Sequence, residues 1–184
     1  MRTPSSLRAV VAASLIAALT SGYALADTTW TFTKSPALRA THAITSAAGL
    51  DAMVFNVTAA GVGLTRVTRM AFMVMGTLQR ADFDNLQLVY YQHGLAGPGV
   101  VVGSEAGAGL APGERTLVSI DVTAPIAVQG DYAGVFALRA DVKGTRSFFF
   151  VAQLQRVTIE QDGVERNLTE TEDLPMQGDT FYVN

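Results

Sequence analysis

A period of two in the hydrophobic residues constrains this chain most. Tyr132, Gly134, Phe136, Leu138, Ala140 and Val142 occupy every second position, and successive side chains of a β-strand point to opposite faces, so these six share one face. Other segments repeat the pattern. Thr28–Thr33 alternates threonine with Trp30 and Phe32, Leu86–Tyr91 sets Leu86, Leu88 and Tyr90 against Gln87, Val89 and Tyr91, and Thr116–Val122 turns Val118, Ile120 and Val122 inward. Val67–Met75 carries Met70, Phe72 and Val74 on one face and Arg69, Ala71 and Met73 on the other, which predicts a strand covered on both sides. Ala52–Thr58, Leu154–Gln161 and Thr180–Val183 are further strand candidates, and Ser147–Val151 is one in which Phe148-Phe149-Phe150 runs on without alternating.

Between these segments lie breakers. Seven of the twenty residues of Gly94–Gly113 are glycine and two are proline, which predicts a loop with a small edge strand at Val100–Val102. Lys143-Gly144-Thr145 predicts a tight turn, and Asp162–Asp179 an acidic loop. Ala37–Gly49, with Ala40, Ala43, Ala47 and Ala48, allows a short helical turn. No amphipathic stretch of about 12 residues follows residue 26, so the crossover helices of a parallel α/β fold are missing. Eight or nine short strands with turns about every ten residues predict an all-β, antiparallel β-sandwich of Ig-like or Greek-key type, with a barrel as the alternative.

The first 26 residues stand apart. Arg2 and Arg8 precede the apolar run Val10–Leu19, and Ala24-Leu25-Ala26 supplies small residues before Asp27. That order is a signal peptide, with residues 27–184 as a single exported domain. The apolar run falls short of the roughly 20 residues that span a bilayer. Beyond it stand 11 basic and 16 acidic residues, a mildly acidic balance without Lys/Arg clusters. Nucleic acid and anionic membranes reward clustered cations, so neither is an expected partner. Only Lys34 and Lys143 are lysine, a bias that fits a GC-rich bacterial genome. The chain has no cysteine, which removes thiol catalysis and Cys-ligated metals and leaves the fold to its core alone. The expected location is the periplasm, the cell surface or the medium.

Two segments resemble known sandwich modules. Ile126-Ala-Val-Gln-Gly130-Asp-Tyr132 is similar to the tyrosine corner of immunoglobulin-like folds, in which the hydroxyl bonds back to nearby backbone. The series Val67–Gly76, Ala81–Leu88 and Leu110–Leu117 resembles modules of bacterial surface and S-layer-type proteins, within a likeness covering roughly Val67–Val142. The resemblance implies a structural or adhesive role and carries no catalytic motif.

Candidate chemistry is sparse. His42 and His93 have no His, Asp or Glu at i+2 to i+4, the spacing that would suggest a metal pair, and there is no Gly-x-Ser-x-Gly elbow to nominate a serine nucleophile. Asp82, Asp84 and Asn85 place three side-chain oxygens within four residues, a possible share of a Ca²⁺ site, although Asx-turn chemistry explains the same residues. Glu165, Glu170, Glu172, Asp173 and Asp179 supply the carboxylates a glycoside hydrolase would need, but a solvated loop is the better reading of them. The sequons at Asn56 and Asn167 matter only in a glycosylating host. No catalytic, cofactor-binding or metal residue is therefore assigned.

Two functions from different classes remain. The first is a non-enzymatic exported sandwich acting by contact as a surface, matrix or fibre-associated subunit, its partners being other subunits or a surface polymer, with Thr28–Thr33 able to add to a neighbour's sheet as a homo-oligomeric strand. The second is a small carbohydrate-binding module, or an accessory of a secreted polysaccharide-active system. It requires Trp30, with Tyr90, Tyr91 or Tyr182, to be exposed and aligned for sugar stacking, whereas packing beside Phe32 predicts a core tryptophan.

Overall fold

A computed structural model describes residues 29–35, 41–92, 94–105, 115–169 and 173–184. The proposed leader (1–26), His93, and Glu170 and Glu172 fall outside them. Nine strands run in chain order: β1 (Thr29–Lys34), β2 (Thr41–Ile44), β3 (Ala47–Gly76), β4 (Phe83–Tyr91), β5 (Val100–Glu105), β6 (Arg115–Val142), β7 (Phe148–Gln161), β8 (Val164–Leu168) and β9 (Met176–Val183). A 3₁₀ turn at Arg80–Asp82 leads into β4.

The organising elements are β3, of 30 residues, and β6, of 28. They pair antiparallel from Ala47↔Val142 to Met75↔Arg115. Ala52–Thr58 and Val67–Met75 therefore belong to one strand, and Thr116–Val122 and Tyr132–Val142 to another. The register slips near the start of β3, between Ala47 and Leu50 and between Asp51 and Met53, then between Ala59 and Thr65 and again between Val67 and Arg69. Gly61 and Gly130 both adopt a φ of 68° at the slip between Ala59 and Thr65, a conformation open to glycine and costly for other residues. Bulges of this kind bend a strand and increase its twist. Both strands consequently pass from one sheet into the other. The Phe55 and Phe72 rings lie 6.2 Å apart, whereas a straight strand would separate them by about 55 Å.

The result is a two-layer antiparallel β-sandwich built on two shared strands. The first sheet runs β1, β3 (47–60), β6 (130–142), β4, β5. The second runs β6 (115–128), β3 (65–76), β7, β9, β2, with β8 beside the distal end of β7. Every pairing is antiparallel except β2 with β9. The inward residues, among them Trp30, Phe32, Met53, Phe55, Phe72, Phe136, Leu138, Phe150, Leu154 and Phe181, form one continuous core.

Several expectations change. Of the segment 37–49, residues 37–40 lie outside the described residues, and the rest is strand at 41–44 and from Ala47 on, with a bend at Thr45 between, not a helical turn, because β2 docks beside β9 and β3 begins at Ala47. The acidic region 162–179 contains β8 and the start of β9; β8 pairs with β7 from Val157↔Leu168 to Gln161↔Val164 although its own residues are mostly exposed. The edge strand expected at Val100–Val102 is present as β5. Tyr132 makes no tyrosine-corner bond: among the described residues no backbone group pairs with its buried hydroxyl, which is turned toward Tyr90. Its position is over Gly134 and beside the Tyr90 ring, and burial pushes the phenol pKa up.

Candidate interaction surface

The residues singled out by sequence do not converge. Trp30 is 7% exposed and Tyr91 6%, so neither offers a ring to a sugar, and the stacking platform proposed for Trp30, Tyr90 and Tyr91 does not form. Trp30 lies opposite Ala59 on the inner face. Tyr90 packs against Phe136 at 5.1 Å. Tyr182 alone of the nominated aromatics is open, at 48%.

The three oxygen ligands imagined for Ca²⁺ also part company. Asp82 is buried. One of its oxygens accepts from the Gln79 N–H at 2.6 Å and from Arg146 Nη2 at 2.6 Å, and Arg146 itself lies 5.4 Å from the Phe148 ring centroid. Asp84 pairs with Lys143. Asn85 donates to Asp141 at 2.5 Å. These residues pin the turn entering β4 to the end of β6, and each carboxylate already has its cation or amide.

His42 acquires a role that its sequence neighbours gave no sign of. β2 stacks its ring on Phe181, centroids 4.7 Å apart and planes 15° from parallel. Its Nε2 sits 3.0 Å from Asp179 Oδ2, whose side chain is fully buried, and Lys34 reaches the other carboxylate oxygen. Lys34 belongs to the edge of the first sheet, His42 and Asp179 to the edge of the second. The cluster thus closes one side of the sandwich, as the Asp173 carboxylate does by accepting from the Phe32 N–H at 3.0 Å. That bond also occupies the outward edge of β1. On the opposite side Thr123 donates to the Val102 carbonyl at 3.0 Å, and β5 passes so close to β6 that a side chain at Gly103 would strike the Asp121 carbonyl.

The two outer faces differ sharply. On the first sheet Arg139 Nε donates to Asp51 at 2.7 Å, Arg139 Nη2 reaches the Tyr91 hydroxyl at 2.6 Å, and that hydroxyl donates to the other Asp51 oxygen at 2.9 Å. Burial, then the hydrogen bond to Asp51, raises the Tyr91 pKa; the bond to Asp51 holds Arg139 more firmly protonated. Beside this triangle Val54, Val89, Tyr91, Ala137 and Val135 form a small second apolar cluster. The loop at Gly99 covers it so tightly that a side chain there would clash with Val89 and Tyr91.

The outer face of the second sheet has no such cover. Register places Leu117, Met73, Gln153 and Gln177 in one cross-strand row, Arg115, Met75, Val151, Thr180 and Thr41 in the next, and Phe149, Tyr182 and Ala43 in a third. Met73 and Met75 are half-buried by their neighbours, but Leu117 is 52%, Phe149 38% and Tyr182 48% exposed. The Phe149 and Tyr182 rings sit 6.1 Å apart. The expectation that Val67–Met75 is covered on both faces holds in part: Ala71 is buried and Arg69 and Met73 are half-buried, but no described strand crosses this face. One signal for it stood in the sequence. Phe148 and Phe150 fill the core, so the unbroken Phe148–Phe150 run forces Phe149 outward.

No family model matches the sequence, and no curated protein matches it significantly. Among solved structures the chain is similar to one described as AvmM, which catalyses macrocyclisation in alchivemycin A biosynthesis, with 10% identity, 85% of this chain and 88% of that chain covered, and a TM-score of 0.36. A likeness that faint transfers neither fold nor chemistry.

Proposed function

We propose that this chain is an exported, non-enzymatic β-sandwich that acts by contact, as a surface, matrix or fibre-associated subunit. The observation that carries the reading is the outer face of the second sheet, where an aliphatic and aromatic stripe crosses a sheet whose opposite side already fills the core. Antiparallel sheets with one face on the core normally turn a polar face to water, and a contiguous apolar patch on a surface marks an interaction site. The histidine best placed for acid–base chemistry, His42, is committed with Asp179 and Lys34 to closing the sandwich. Among the described residues no helix is long and apolar enough to cross a membrane.

Strand addition through Thr28–Thr33 is the less economical route to assembly. β1 already pairs with β3 along its whole length and buries Trp30 and Phe32 in the core of its own chain, so donating it would empty that core. The carbohydrate-binding alternative retains one favourable observation, the exposed Phe149–Tyr182 pair with Gln177 on the same face.

Fractionation of producing cells tests the proposal. The tagged chain is expected with the envelope, extracellular matrix or fibres, released by mild detergent or chaotrope. Recovery of the whole pool as free protein in periplasm or medium overturns it.

A further inference from the structure

We infer that the outer face of the second sheet binds a second copy of this chain, sheet face against sheet face, in a two-fold dimer. The inference rests on the contact reading above and names the partner of that surface.

Three features of the face point to self-association. The first is shape. With a two-fold axis between β3 and β7, the four strands β6, β3, β7 and β9 at about 4.8 Å spacing, and three rows about 7 Å apart, give a facing patch of roughly 19 by 20 Å. Two such patches bury on the order of 800 Å², in the range of weak, transient encounters, so the expected dimer is weak and dependent on concentration.

The second is composition. Each row carries exposed or half-buried apolar side chains: Leu117 and Met73 in one, Met75 in the next, Phe149 and Tyr182 in the third. Methionine adapts its shape to an opposing surface. The Gln153 carbonyl oxygen already accepts from Gln155 at 2.8 Å. The exposed polar residues Arg115, Gln177 and Thr41 lie on the flanking strands β6, β9 and β2, while β3 and β7 present Met73, Met75 and Phe149 at the centre, where sugar hydroxyls desolvated without partners are costly. A second apolar sheet asks for none.

The third is charge. Arg115 is the one charged residue in the three rows, and it is exposed. A two-fold axis lying in the face along the strands, between β3 and β7, sets β6 of one copy over β9 of the other. Arg115 then meets Thr180 of the second copy, with the Tyr182 ring two residues along, within reach for a cation–π contact. The two arginines lie on opposite sides of the axis and do not confront each other. Met75 of each copy meets Val151 of the other.

Sedimentation equilibrium on the full chain, expressed with its leader, over about three decades of concentration tests this, because mass action makes a weak dimer visible as a concentration-dependent mass. Wild-type chain is expected to pass from monomer to dimer. Leu117→Asp and Tyr182→Asp, both at exposed positions, are expected to weaken dimerisation about 100-fold, and Arg115→Ala about tenfold, consistent with a few central side chains carrying most of an interface. Thr58→Asp, on the outer face of the first sheet, is expected to leave it unchanged. Thermal melts establish that each variant folds. A wild-type chain monomeric throughout, or Leu117→Asp dimerising as wild type does, overturns the inference. So does a monomer that binds microcrystalline polysaccharide through Tyr182, which would hand the face to a glycan. If the chain is monomeric yet envelope-bound, and Leu117→Asp releases it, the second copy falls while the contact reading stands. If it dimerises yet is recovered wholly free from producing cells, the reverse holds.

Discussion

The outer faces of the two sheets are made from the same two strands and finish differently. On the first sheet, β3 and β6 present Asp51 and Arg139 as a cross-strand pair, Tyr91 closes the triangle, and the loop at Gly99 seals the apolar residues beside it. Every strong polar group of that triangle has its partner inside the chain. Past the bend the same strands present Met73, Met75 and Leu117, and nothing described lies over them. A face that satisfies itself contributes to stability. One left apolar contributes little, and its worth lies in what it meets. The difference separates residues that hold this fold from residues available for work.

The comparison holds only if the two sheets form one cooperative unit, and Phe72 tests that most severely. It is fully buried on β3 past the bend and contacts Phe55 before it. Truncating a buried phenylalanine to alanine costs about 3–5 kcal/mol through lost transfer energy and the cavity left behind. Phe72→Ala is expected to lower the unfolding free energy by that amount, with a matching fall in the denaturant midpoint, in one transition seen alike by far-UV circular dichroism and tryptophan fluorescence. Trp30 reports the first sheet, so a variant that melts the second sheet while Trp30 stays buried would show that the halves are independent.

Next in size is the polar triangle. Arg139→Leu takes the cation from Asp51 in a half-buried setting and leaves it only the Tyr91 hydroxyl as donor, and a polar group deprived of its partner there costs about 1–3 kcal/mol. The matching change on the other face, Leu117→Asp, is expected to move stability by no more than about 0.5 kcal/mol, since substitutions at exposed sites rarely do more. Urea titration of both variants, at concentrations where the chain is monomeric, checks the pair. Equal losses would erase the distinction between the faces.

Much of this contrast was legible in the residues, and the rest was hidden for physical reasons. Alternation divided Leu86, Leu88 and Tyr90 from Gln87, Val89 and Tyr91 correctly, because the pleat imposes it locally. It gave no sign that the Gly99 loop would bury Tyr91 on the outer face, since that contact depends on where a glycine-rich segment returns. The continuity of β3 and β6 is not legible in the residues because glycine serves turns and bulges alike; in the structure Gly61 and Gly130 permit a paired bend within unbroken strands. β8 lacks apolar alternation, for Glu165, Arg166 and Asn167 all face solvent and its pairing with β7 rests on backbone. The His42–Asp179 contact joins residues 137 positions apart, and spacing rules written for neighbours along a strand or helix cannot reach it. Phe149 was the legible exception: three consecutive phenylalanines in a strand cannot all face the same core.

The smallest expected effect lies at the polar end of the first sheet. Asp141 accepts hydrogen bonds from Asn85 Nδ2 at 2.5 Å and from the Gly49 N–H at 2.7 Å, and these bonds, in that order, hold its pKa below the ordinary value of 3.8. A carboxyl whose pKa is lower folded than unfolded stabilises the fold fully above its unfolded value and loses that contribution as pH falls through the folded one. The loss therefore belongs below about pH 4, and solvent screening at so open a site keeps it under about 1 kcal/mol. Asp141→Asn is expected to be the less stable protein at neutral pH, with the gap to wild type closing as acid protonates Asp141. Urea midpoints measured from neutral pH down to about pH 2.5 follow that closure. The rows of the opposite face contain no carboxylate, so any dimer formed there should keep its affinity across the same descent for as long as the monomer stays folded. A dimer that dissociated in step with the titration of Asp141 would place the interface on the polar face instead.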